Sequence, residues 1–406
     1  MNGPAGDRFH ATDQRYKEYV QRIISNGLAN GTITPDEAAL ITAFITEVES
    51  SGSVGASRVF KLYSILTRWR TYIGPYKTNT IQDIYLGINA LKMAKKENGA
   101  GLTANTVADY IKFLKRFYFW MIENGYSTVD EKKLQKIHPP PAPQMTKTAE
   151  QLLTEAEVKA MIKTCRNSRD RAIITMLYEG GFRISEIGRL RWNQVKFNDW
   201  NAVINVDGKT GKGRYIPLVM SRSYLAQWKN DYPRDPTGDA YVFLTATEKK
   251  PLQYAGIAKQ ISLIAQRAHV EKHITPHLFR HSRITHLIQQ GYQESIIKKM
   301  MWGSISTKMF ATYAHLTDTD IDDEIASKNG IATEKPAKEK LLEPRQCPKC
   351  FTINGPTQNF CGSCGLPLTD TAADDQNQVM DDLSRLLASF TPTQLKALQQ
   401  LSINAR

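Results

Sequence analysis

Residues 180–192 read Gly-Gly-Phe-Arg183-Ile-Ser185-Glu186-Ile-Gly-Arg-Leu-Arg-Trp192, and residues 275–282 read Thr275-Pro276-His277-Leu-Phe-Arg280-His281-Ser. In the second stretch Thr275 is a helix cap and Pro276 suits a first helical position, so His277 and Arg280 share one face of the opening turns. A helix start bearing Arg and His is a seat for phosphate. In the first stretch the glycines end one helix and Ser185 is placed to cap the next. Arg183 is left at the junction, with Glu186 near enough to orient it. Arginine suits phosphate because its rigid fork contacts two oxygens at once. A third arrangement lies between these two. Val203–Val206 and Arg214–Leu218 read as strands flanking Asp207-Gly-Lys209-Thr-Gly-Lys212-Gly213, a hairpin whose tip carries two lysines.

Taken in order with Thr312-Tyr313-Ala-His315-Leu, these motifs resemble the tyrosine recombinase (phage integrase) family in sequence, order and spacing. The resemblance covers residues 151–330, and the helical segment before it looks like that family's core-binding domain. It implies a site-specific DNA recombinase that cleaves and rejoins strands through a covalent 3′-phosphotyrosyl intermediate. The chemistry is sound on its own terms. Breaking and resealing a strand without an energy source needs a side chain that takes over the phosphodiester as an ester, and the charge gathering on phosphate oxygens needs cations. Carried over residue by residue, Tyr313 is the nucleophile and Arg183 and Arg280 clamp the phosphate. His277 assists proton transfer or holds a phosphate oxygen, and Glu186 supports the site. Lys209, eight residues before Pro217, protonates the departing 5′ oxygen in preference to Lys212. The family has His or Trp about nine residues before its nucleophile, where this chain reads Met300-Met301-Trp302-Gly303-Ser304. Spacing selects Ser304 and chemistry selects Trp302, which also reads as core packing. Two other readings share the same fold: a DNA-binding protein with impaired catalysis, and a topoisomerase IB-like relaxing enzyme.

Composition agrees with a polyanion partner. The 406 residues carry 53 Lys+Arg against 40 Asp+Glu, a net charge of +13. The surplus is five in residues 1–150, eight in 151–330 and nil in 331–406. Binding to double-stranded DNA attachment sites is therefore expected of the first two segments, weakening steeply with salt. Hydrophobic residues at 41% exclude wholesale disorder and allow two or three domains. No stretch reaches the roughly 18 apolar residues of a membrane span, and the polar start has no signal-peptide core. The expectation is a cytoplasmic, nucleoid-associated prokaryotic protein that forms a homo-tetramer on DNA and needs no nucleotide or catalytic metal.

The expected fold is mainly α with a small β-hairpin or sheet (α+β). Residues 1–30 give an N-terminal helix whose stripe Tyr16, Val20, Ile23, Ile24 ends at Gly27. Residues 31–136 give the helical core-binding domain, with stripes Val59 to Trp69 and Val107 to Met121. Arg58, Lys61, Arg68, Arg70, Lys112, Lys115 and Arg116 sit on its polar faces, which read as solvated. A Pro-rich linker (137–150) leads to the catalytic domain (151–330), where Thr154–Glu157 form a capping box and Ala172–Tyr178 a buried helix. After a second linker (331–344), Cys347-Pro-Lys-Cys350 and Cys361-Gly-Ser-Cys364 mark a zinc ribbon (345–368). Four thiolates leave no open coordination position, so the Zn2+ would be structural. Disulfides fit poorly in an intracellular chain, and Cys165 reads as a buried small residue. Such a ribbon resembles those of some archaeal integrases. Amphipathic helices (369–406), with Val379, Met380, Leu383, Leu386 and Leu387 and then Leu395, Leu398 and Leu401, pack on a protein partner or on the body of the protein.

Overall fold

A computed structural model of the chain describes residues 9, 12–52, 54–141, 149–206, 213–245, 247, 250–313, 325–326, 329–331, 341–390 and 394. The chain forms two compact units, Met1–Thr146 and Lys147–Arg406. Lys209, Lys212, His315, the tail leucines from Leu395 onward, residues 142–148 of the first linker and 332–340 of the second lie outside the described residues.

In the first unit each helix couples an apolar stripe to a local cap. They are α1 (Asp13–Ala29), α2 (Pro35–Ser51), α3 (Ala56–Trp69), α4 (Ile81–Met93), α5 (Ala104–Glu123) and the short α6 (Glu131–Gln135). Thr34 and Glu37 form a reciprocal capping box at the start of α2, and Thr80 and Asp83 do the same for α4. The stripes meet in a core built on Phe44, Leu66, Trp69, Tyr76, Phe117 and Tyr118. Two expectations need correction. Helix α1 runs through Gly27 rather than ending there. A Cβ at Gly27 would lie 3.0 Å from Ile33 Cγ1 and 3.2 Å from Thr67 Cγ2, so the glycine lets α1 lie against α3. Nor is Arg70 on a solvated face: its guanidinium pairs with Oε1 of buried Glu37, the same oxygen that accepts the Tyr76 N–H at 3.2 Å, while Oε2 accepts the Thr34 N–H at 3.0 Å. Lys115 is similarly committed, donating to the carbonyls of Gln135 (3.0 Å) and Ile137 (2.6 Å).

The second unit is mixed. It contains α7 (Glu155–Lys163), α8 (Ser168–Glu179), α9 (Ile184–Arg189), β1 (Val195–Phe197), β2 (Ala202–Val206), β3 (Arg214–Leu218), α10 (Met220–Asn230), α11 (Tyr254–Arg267), α12 (Pro276–Gln289) and α13 (Glu294–Trp302). A 3-10 turn (Lys308–Thr312), β4 (Arg345–Gln346), β5 (Ile353–Asn354) and α14 (Asp370–Ala388) follow. The two strands read from sequence pair antiparallel, Ala202 opposite Leu218 and Val206 opposite Arg214, and β1 adds a third. Helix α8 is separate from α7 and begins under Asn167, whose side chain accepts the Asp170 N–H at 2.8 Å. Its last residue, Glu179, is buried and accepts the N–H groups of Val219, Met220 and Ser221 at 2.7, 2.9 and 2.7 Å. That carboxylate caps α10, which has no cap of its own. Cys165 is buried, and burial pushes its thiol up to about 12. None of the described helices is long and apolar enough to cross a membrane.

Candidate active site

The site is built where α8 ends. Gly181 adopts φ +53°, a conformation that glycine tolerates, and its carbonyl accepts a hydrogen bond from Arg280 Nη1 at 2.6 Å. Arg183 follows as the extended residue that caps α9. Ser185 does not cap this helix; it lies within the first turn. Glu186 supplies the cap instead, one oxygen accepting the Arg183 N–H at 2.8 Å and the other the Arg183 Nη1–H at 2.8 Å. A backbone N–H and a side chain of one arginine are thus held by one carboxylate.

Helix α12 brings the second motif to the same place. Thr275 Oγ1 accepts the Leu278 N–H at 3.3 Å, Pro276 opens the helix, and His277 and Arg280 share a face. His277 keeps part of its surface in solvent, whereas Arg280 is buried and also donates to the Met301 carbonyl. Its guanidinium lies 5.4 Å from the centre of the Trp302 ring. Gly303, at φ +73°, closes α13 directly after that tryptophan.

Tyr313 follows the 3-10 turn, half-buried beside α12 and α13. Its ring centre is 5.1 Å from that of His281 and 6.0 Å from that of Trp302, and it packs with Phe310 on a cluster of Ile284, Leu287, Ile297 and Met301. The structure therefore brings Arg183, Glu186, His277, Arg280, Trp302 and Tyr313 together. Ser304 lies beyond Gly303 and shares a 3.0 Å hydrogen bond with Ser306.

Sequence reasoning missed two neighbours. His281 was read only as part of a motif, although its ring lies against Tyr313. Arg214 was read only as part of a strand. Its side chain is buried and bonds to Glu186, to the Met300 carbonyl at 2.8 Å and to the Gly180 carbonyl at 3.2 Å. A signal was present: Arg214 shares strand parity with Ile216 and Leu218, both buried.

Three guanidiniums, Arg183, Arg214 and Arg280, thus surround one carboxylate, and positive charge is left over. Burial first, then the charges of Arg214 and Arg183, bring the Arg280 pKa down to about 9. Burial would raise Glu186, but the Arg214 charge and the Arg183 N–H outweigh it and hold the carboxyl below its ordinary range. Partial burial, then Arg280 and Arg183, lower His277. Burial raises Tyr313, opposed in part by the same two arginines. A buried excess of cations beside a phenol is a place for an anion that the phenol can reach.

Comparison with known proteins gives the family. The Phage integrase family matches residues 151–320. Tyrosine recombinase XerD of Staphylococcus haemolyticus is 30% identical over 234 residues, covering 54% of this chain and 75% of XerD. This chain belongs to the phage integrase family. Tyrosine recombinase XerC of Lacticaseibacillus casei is 27% identical over 244 residues, covering 56% of this chain and 77% of XerC. Among solved structures, the Tn1549 transposon integrase in complex with a circular intermediate DNA matches with a TM-score of 0.54 at 17% identity, over 71% of this chain and 99% of that one. That likeness shows a shared tyrosine-recombinase fold.

This family member also carries a cysteine cluster. The sulfurs of Cys347, Cys350, Cys361 and Cys364 all lie within 4.8 Å of one another, with Cys347–Cys364 at 3.6 Å and Cys350–Cys361 at 3.5 Å. Tetrahedral thiolates about 2.3 Å from a zinc ion stand about 3.8 Å apart, so this set fits. The two halves repeat one turn. The N–H of Phe351 bonds to the Cys347 carbonyl and that of Gly365 to the Cys361 carbonyl, each at 2.9 Å, and both residues have positive φ. The ribbon is docked on α10, because Tyr224 Oη lies 2.6 Å from Thr357 Oγ1 and accepts the Thr357 N–H at 3.1 Å.

Proposed function

We propose that this chain is a site-specific recombinase, an integrase of a mobile element, in which Tyr313 attacks the scissile phosphate of double-stranded DNA. The observation that carries the proposal is the buried arginine cluster beside that phenol. Arg183 is held by Glu186 and Arg280 by the Gly181 and Met301 carbonyls, so the charge that develops on the non-bridging oxygens would meet preorganised cations. As the Tyr313 Oη–P bond forms, the bond from phosphorus to the 5′ oxygen breaks. The phenolic proton passes to His277, and Lys209 gives a proton to the departing 5′ oxygen. The DNA 3′ phosphate is then joined to Tyr313, and reversal by another strand's 5′ hydroxyl reseals the duplex. Trp302 forms the wall on which Arg280 and Tyr313 both rest.

Both units are expected to grip DNA mainly through phosphates, and the chain to act as a tetramer on paired attachment sites. The solved neighbours bound to DNA support this reading. Cys347, Cys350, Cys361 and Cys364 would hold a structural zinc ion, which supplies a fold-stabilising crosslink and takes no part in cleavage.

A nicked duplex carrying the chain's own site tests the assignment, because loss of the short fragment beyond the cut traps the covalent product. Wild type should accumulate a protein–DNA adduct, and Tyr313→Phe and Arg280→Ala should not. No adduct with wild type, or full adduct with Tyr313→Phe, would contradict it.

A further inference from the structure

We propose that Arg214 is a positioning residue for the phosphate clamp, an inference that rests on the recombinase reading above. Its three guanidinium nitrogens are all engaged by protein: Nε by the Met300 carbonyl, Nη1 by Glu186 and Nη2 by the Gly180 carbonyl. The side chain is 1% exposed, so it has no face to offer a substrate. What it touches is the support of both clamp arginines. Glu186 divides its carboxylate between Arg183 and Arg214. Arg280 holds the carbonyls of Gly181 and Met301, the residues directly after the two whose carbonyls Arg214 holds. The two guanidiniums therefore grip the same two backbone segments, one residue apart in each. A shift of Arg214 is passed to Arg183 through Glu186, and to Arg280 through the Gly180–Gly181 and Met300–Met301 peptides.

Stability alone does not account for it. An apolar side chain of similar volume generally serves a core as well as a buried ion pair does. Arg214 instead adds a third positive charge next to those of Arg183 and Arg280, and so strengthens the demand of the cluster for an anion. It also opens β3, where it stands opposite Val206 of β2.

The test compares single-turnover adduct formation by wild type and Arg214→Lys on two trapping duplexes, with the folded fraction set equal by thermal melting. One duplex has the natural scissile phosphodiester. The other has a methylphosphonate there, which lacks the negative charge the clamp neutralises. Misplacing a clamp by about 1 Å costs on the order of 100-fold, so the variant should be about 100-fold slower on the phosphodiester. On the neutral substrate the gap should shrink to within about threefold. A merely structural role would lower the melting temperature and leave the same ratio on both substrates. That result, or wild-type speed on the phosphodiester, would overturn the proposal. If Arg214→Lys melts below the assay temperature, Arg214→Gln, which keeps donors without the charge, is read in the same way. No adduct from the wild-type chain on either duplex would instead overturn the nucleophile assignment on which this proposal rests, so the two failures are told apart.

Discussion

At the scale of single residues, the site is a charge imbalance held in place by one carboxylate. Glu186 is shared by two arginines, and Arg280 is fixed by two carbonyls rather than by an acid, so its charge is left for a ligand. The same cations act on the groups that handle protons. His277 is lowered from 6.5 by partial burial and then by Arg280 and Arg183, so its imidazole is neutral at pH 7 and able to accept a proton. Tyr313 is raised above 10, so the phenol must give up its proton during attack rather than before it. The sign of the pH dependence follows. In the proposed mechanism the neutral imidazole is the active form, so adduct formation should rise with pH through a value below 6.5 and level off above it. In His277→Gln the acid limb should vanish and the plateau fall by about 100-fold or more. Single-turnover rates between pH 5 and 8 measure both, and an acid limb unchanged in the variant would assign it to another group.

At the scale of elements, what was legible in the sequence was local. The capping box at Thr154 and the helix start at Thr275-Pro276 act within four residues, and the structure keeps them. The arginine and histidine motifs could be read because each lies within one turn or junction. Contacts spanning the chain could not. Glu179 caps a helix 40 residues on, and Arg214 reaches Met300 across 86 residues, so no local pattern announces either. Strand β1 is three residues long, too short for alternation to show. The Ser185 reading failed because the helix starts at Ile184 with Arg183 as its N-cap residue, which leaves Ser185 inside the first turn. Gly181 joins these elements and gives a direct test. Its φ is +53°, and a Cβ there would lie 2.7 Å from Met301 Sδ. Gly181→Ala should therefore cost about 2–4 kcal/mol in urea unfolding, from backbone strain and overpacking together. Gly31→Ala, at φ +70° with nothing within 4 Å, should cost only the backbone part, about 1–2 kcal/mol. Equal costs at the two sites would contradict the packing at Gly181.

At the scale of the whole chain, the net charge of +13 resolves into parts with different uses. Some cations are structural, as Arg70 on Glu37 and Lys115 on two carbonyls show, and a small group clusters about Glu186. The ribbon and α14 add no net surplus. The cysteine segment is fastened to α10: Gly355 lies so close to Tyr224 that a Cβ there would come within 2.2 Å of its ring. Purified protein should contain one zinc ion per chain by elemental analysis, and Cys361→Ser should lose it and melt at a lower temperature. Cleavage by the metal-free protein should persist below that melting point. A metal-free wild type with unchanged stability would contradict the ribbon. The most direct measurement on the central claim is the mass of the DNA-bearing peptide from the trapped adduct. Trypsin should release residues 309–328, Met309-Phe-Ala-Thr-Tyr313-Ala-His through Lys328, in which Tyr313 is the only tyrosine. A nucleotide 3′-phosphate mapped by fragmentation to Tyr313 is the predicted result. The same group on any other residue, or a trapped product with no covalent peptide, would contradict the account.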